Sequence, residues 1–66
     1  MEFKDKVILV RARLNLSQEK LGEMLHVSIA TICRWENGKF APSKKDLVAF
    51  EELCRENKIF FEKETF

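Results

Sequence analysis

Glycine-rich phosphate loops, metal centres and disulfide scaffolds draw on residues that this chain has in short supply: two glycines, one histidine and two cysteines among 66 residues. Gly22 and Gly38 stand too far apart for a phosphate-cradling loop. His26 has no cysteine or carboxylate at metal-ligand spacing. No Ser-His or Cys-His pair falls in a recognisable motif, so no catalytic constellation can be assembled. Long hydrophobic runs are also missing. The longest, Val7-Ile8-Leu9-Val10, is too short to span a bilayer. It follows alternating charges and precedes no small-residue cleavage site, so no secretory signal is expected. A chain of this length hides about 60% of the surface that its unfolded form exposes, enough for one modest core but not for an enclosed substrate chamber. These absences point away from an enzyme, a cofactor, a metal and a membrane.

Neither Cys33 nor Cys54 sits in a CxxC or zinc-type spacing. A single disulfide between them stays open. Each falls within a helical segment, however, where packed free cysteines are common. Free thiols would place the protein in a reducing cytoplasm.

What is present is an ordinary globular composition, 45% apolar and 35% charged. The net charge of +1 is no nucleic-acid signature by itself. Its distribution says more, because Arg34, Lys39, Lys44 and Lys45 face only Glu36 in the stretch 34–45. Glu51, Glu52, Glu56, Glu62 and Glu64 gather further on. The spacing predicts a basic middle and an acidic rear.

Val7, Val10 and Leu14 recur at helical steps, predicting a first helix from about Lys4 to Leu14. Ser17 can cap a second, 18–25, with Leu21 and Leu25 inward. Gly22 costs roughly 1 kcal/mol against Ala inside a helix, which suggests close approach of another helix backbone. After His26-Val27, Ser28 caps a third helix, 29–37, closed by Gly38 in the left-handed conformation. Lys39 to Pro42 read as loop. Ser43, with Asp46 at the capping-box position, starts a fourth helix over 44–56. This helix points Leu47 and Phe50 inward, with Val48, Leu53 and Cys54 as further candidates. The tail 58–66 fits neither a clean helix nor a clean strand, and Ile59 and Phe60 suit the core better than Phe61 or Phe66. These expectations amount to one all-α domain over 1–66, a compact bundle of four to five short helices.

The run VSIATICRWENG, residues 27–38, places Ile32 and Trp35 on an inner face and leaves Ile29, Ala30, Cys33 and Arg34 pointing elsewhere. Trp35 could be a base-stacking platform, but its helical spacing from Ile32 favours core. Two capped short helices joined by a tight turn match the helix-turn-helix arrangement. LSQEKLGEML followed by HVSIATICRWENGKFAPS resembles the phage repressor and Cro type, or XRE type, of helix-turn-helix family. The resemblance covers about Val7 to Leu53 and rests on several features in combination. They are the Leu-Ser-Gln opening of the second helix, the Val-Ser cap of the third, the Ile32/Trp35 pair, the Glu36-Asn37-Gly38 ending and the Pro42-Ser43 restart. Gly22 stands where the family usually has Ala.

The resemblance implies a lambda-repressor-like domain whose third helix enters the DNA major groove. Ser28, Ile29, Ala30, Cys33 and Arg34 would then face base edges, and Gln18, Thr31, Asn37, Lys39, Ser43 and Lys44 would hold phosphates. Arg11 and Glu36 would form a structural ion pair. In the commoner pattern polar side chains begin the recognition helix, whereas Ile29 and Ala30 can only pack against thymine methyls. Arg34 can fork onto a guanine or take a phosphate. Cys33 serves as a small filler at that surface or as a redox sensor beside Arg34. Lys44 and Lys45 oppose the helix dipole, which favours a phosphate contact over a merely solvated helix start.

The expected function is therefore a cytoplasmic, sequence-specific transcriptional regulator binding double-stranded DNA, as a homodimer by the family's habit. Two rivals come with it. One is a protein-interaction module that keeps the fold and takes a protein partner on its apolar third helix. The other is the antitoxin half of a toxin-antitoxin pair.

Overall fold

The computed structural model describes residues 1–61. Among these the chain is all-α: α1 (Phe3–Leu14), α2 (Gln18–Leu25), α3 (Ile29–Glu36) and α4 (Lys44–Glu56). Three of the four begin on a serine cap. The hydroxyls of Ser17, Ser28 and Ser43 accept from the backbone N–H groups of Lys20, Thr31 and Asp46 at 3.0–3.1 Å. Each satisfies one of the donors that a helix start leaves open. α1 begins at Glu2 without a side-chain cap, and its charges match the helix dipole, with Asp5 in the first turn and Arg11 and Arg13 in the last. Among the described residues no helix is long and apolar enough to cross a membrane.

All four helices are closed by one device. Asn15, His26, Gly38 and Lys58 take left-handed backbone, with φ of 56°, 61°, 74° and 58°. The next residue then donates back across five positions: Leu16 to Arg11, Val27 to Gly22, Lys39 to Arg34 and Ile59 to Cys54, at 2.8–3.2 Å. This is the Schellman closure, in which the residue after the left-handed one commonly makes a hydrophobic contact. Leu16 and Val27 pack on the core, and Ile59 is buried within it. Lys39 breaks the pattern, so the end of α3 alone sends its closing residue out as a cation.

The core comprises Val7, Val10, Leu21, Leu25, Ile32, Trp35, Phe50, Leu53, Cys54 and Ile59. Phe3, one turn before Val7 at the very start of α1, stands edge-on to both Trp35 and Phe50, with ring centroids 5.2 and 5.1 Å apart. α3 packs against α1 and α2, and α4 closes on α2. The short α3 is thus held from behind on two sides.

Several expectations about the core need correction. Val48 is 46% exposed, because two residues from Phe50 is the opposite side of a helix. Leu47 is only half-buried, at the rim of a rear hollow that Phe3, Lys6 and Phe50 also line. In the tail, Ile59 drops inward as expected, but Phe60 is 73% exposed and Phe61 turns back onto the core with Lys6 over its ring at 5.2 Å. After the left-handed Lys58 the chain is not helical, and successive side chains alternate in and out. Phe66 lies outside the described residues.

Candidate nucleic-acid interface

Gly22 explains how the turn between α2 and α3 can be so short. A Cβ on this residue would stand 2.7 Å from the carbonyl oxygen of Val27, closer than any real Cβ contact. The neighbour that crowds this position is therefore the backbone of the turn, not of a second helix, and an Ala here would require that carbonyl to shift. His26 accepts left-handed backbone and Ser28 caps α3, so only the stretch 26–28 separates the two helices.

The inner side of α3 is fixed by packing and by one carboxylate. Ile32 and Trp35 are 0% and 2% exposed. Glu36, at the helix end, accepts from three donors: Arg11 Nε at 2.7 Å, Arg11 Nη2 at 3.2 Å and Gln18 Nε2 at 2.9 Å. Arg11 Nη1 also donates to the Leu16 carbonyl at 3.1 Å. One acidic side chain thereby ties α1, the start of α2 and the end of α3 together. Burial by itself pushes the Glu36 carboxyl up, but the hydrogen bonds from Arg11 and Gln18, with the guanidinium charge, outweigh it and hold the group below its ordinary value. The same hydrogen bond pushes Arg11 up.

The outer side is bare. Ser28, Ile29, Ala30, Cys33 and Arg34 are all exposed, Ile29 by 53%. Thr31, half-buried, shares a 3.0 Å hydrogen bond with the Ser28 hydroxyl. Asn37 caps α3 with nearly helical backbone, and its amide donates to Cys33 Sγ at 3.5 Å. Cys33 and Cys54 are both free thiols, the first exposed and the second buried. Burial raises the Cys54 pKa and so keeps that thiol protonated. Arg34 lies over the Phe40 ring, 5.7 Å from its centroid.

Lys39, Ser43 and Lys44 are exposed on the loop and the start of α4, beside a hollow of about 190 Å3 lined by Thr31, Arg34, Phe40 and Ser43 among others. Gln18 stands apart from the other residues assigned to phosphates, because its side chain is engaged with Glu36. Its backbone N–H, the first of α2, is what it can offer outward. Sequence reasoning did not single out Phe40. The signal was there: a large apolar side chain among Gly, Lys, Ala and Pro, in a loop with no helical pattern to bury it.

A capped helix joined to another by a three-residue turn, anchored behind and open in front, is the helix-turn-helix arrangement. A helix-turn-helix family model matches residues 8–58. The chain belongs to the XRE-type helix-turn-helix family of transcriptional regulators. It is 45% identical over 47 residues to the HTH-type transcriptional activator BcrR of Enterococcus faecalis, a match covering 71% of this chain and 23% of that protein. It is 48% identical over 53 residues to the uncharacterized HTH-type transcriptional regulator YgzD of Bacillus subtilis strain 168, covering 80% of this chain and 76% of that one. No solved structure matches.

Proposed function

We propose that the protein is a sequence-specific DNA-binding regulator that lays α3 in the major groove. One observation carries this reading. The side of α3 holding Ser28, Ile29, Ala30, Cys33 and Arg34 is free, while the opposite side is locked by Ile32, Trp35 and the Arg11–Glu36 pair. Ile29 and Ala30 pack against thymine methyls, and Arg34 forks onto one guanine. The Gln18 backbone N–H, Thr31, Asn37, Lys39, Ser43 and Lys44 set register on the phosphates. Two copies reading half-sites about one helical turn apart would complete the regulator. Kinship with proteins named as a transcriptional activator and a transcriptional regulator supports the reading.

Titrating labelled random-sequence duplex at increasing salt tests it. Neutralising about four phosphates gives a log–log slope near −3.6. Lys44→Ala should weaken all sequences alike, whereas Ile29→Ala should change which sequences are preferred. No binding at low salt would overturn the reading and favour a module that presents the apolar Ile29-Ala30 surface to a protein.

A further inference from the structure

Phe40 is 60% exposed and belongs neither to the core nor to the side chains packed against it. With most of the ring in solvent, burial in the core does not account for it. The Arg34 guanidinium lies over it, its carbon 5.7 Å from the ring centroid. The backbone holds the neighbouring residue close as well, because the N–H of Lys39 donates to the carbonyl of Arg34 at 3.2 Å. That bond places the residue before Phe40 against the arginine it serves. Trp35, next in sequence and 2% exposed, pins the same stretch of α3 from behind.

The Arg34 side chain makes no hydrogen bond or ion pair to another described residue. Its five donors are unengaged by described residues, while the guanidinium carbon lies over the ring. An exposed arginine otherwise spreads over many rotamers, and a group held in its bound orientation loses less freedom on binding. A guanidinium held over a ring face samples fewer orientations, which favours the two-point contact of its fork to the O6 and N7 acceptors of guanine.

We propose that Phe40 is a positioning residue for Arg34, so that one base pair of the binding site owes its preference to an aromatic ring that touches no base. This rests on the DNA-reading function proposed above, and the experiment separates the two. Wild type, Phe40→Leu, Phe40→Trp and Arg34→Ala would each be put through selection from random duplexes, with side-chain NMR of Arg34 in the free proteins alongside. In the free protein, Phe40→Leu should shift the Arg34 δ-methylene and Nε–H signals away from their ring-shielded positions, and Phe40→Trp should keep them shielded. In the selection, Arg34→Ala should lose about tenfold preference at one guanine. Phe40→Leu should lose about two- to fivefold at that same base pair and nowhere else, with Phe40→Trp restoring it. Thermal unfolding of Phe40→Leu should match wild type, excluding a folding defect. Preference intact in Phe40→Leu but lost in Arg34→Ala would overturn the inference and leave the DNA-reading function standing. So would an even loss at all positions. A wild-type protein that binds no duplex would bring down both.

Discussion

α3 joins two regions that use arginine in opposite ways. On the inner side Arg11, with its side chain 27% exposed, commits its fork to the Glu36 carboxylate, itself 11% exposed, and to the Leu16 carbonyl. On the open side Arg34 is exposed, lies over the Phe40 ring and leaves its donors unengaged by described residues. The first arginine is consumed by the fold, and the second is available to something outside it. Net charge does not separate them. What separates them is whether a carboxylate from another helix has already answered the guanidinium.

The largest effect should come from breaking the inner pair. Arg11→Ala leaves Glu36 half-buried with only Gln18 to answer it. Loss of one partner of a fully buried pair costs about 3–5 kcal/mol, and partial exposure here reduces that to about 2–3 kcal/mol. Urea unfolding would measure it. The double variant Arg11→Met, Glu36→Leu should recover most of the loss, since no charge is then stranded. The same pair sets an acid limit. Because the folded-state pKa of Glu36 is lowered, its contribution to stability is complete above the unfolded-state carboxylate value and is lost as pH falls through the folded-state one. Glu36→Gln should flatten the acid limb of the stability curve in that window.

A smaller effect is expected at the turn that aims the open side. Gly22→Ala should destabilise by about 1–2 kcal/mol, because the clash with the Val27 carbonyl outweighs the roughly 1 kcal/mol gained in helix propensity. The smallest is Arg34→Ala. It should leave unfolding within about 0.5 kcal/mol of wild type, as an exposed side chain with no buried partner would. Equal destabilisation by Arg11→Ala and Arg34→Ala would erase the distinction between them.

The bounds of α2 and α4 were legible in the sequence, because Ser17 and Ser43 announce their caps and Leu21, Leu25 and Phe50 repeat at helical spacing. Asn37 read as the last residue of α3 and proved to be its cap. The helical periodicity through Phe3, Val7 and Val10 was equally available, although Phe3 lies one residue before the expected start of α1. The tail was not legible. Whether Phe60 or Phe61 turns inward depends on where Lys58 reverses the chain, and a lysine in left-handed backbone gives no local warning. At the site, the exposed residues of α3 are a direct consequence of the burial of Ile32 and Trp35. The engagement of Gln18 by Glu36 is not, because it depends on how α1 and α2 bring Arg11 and Gln18 to one carboxylate. Nor is the placement of Arg34 over the Phe40 ring, which is set by the path of an irregular loop. Periodicity predicts which side of a helix is free, and only the packed structure says which polar groups remain unengaged.

Amide chemical-shift mapping during titration with a selected duplex tests the central claim most directly. The largest changes should cluster at Ser28, Ile29, Ala30, Cys33 and Arg34, with smaller ones at Gln18, Lys39 and Lys44 and none around Phe60. Changes centred on the rear hollow beside Phe3 and Phe60, with α3 unmoved, would contradict it.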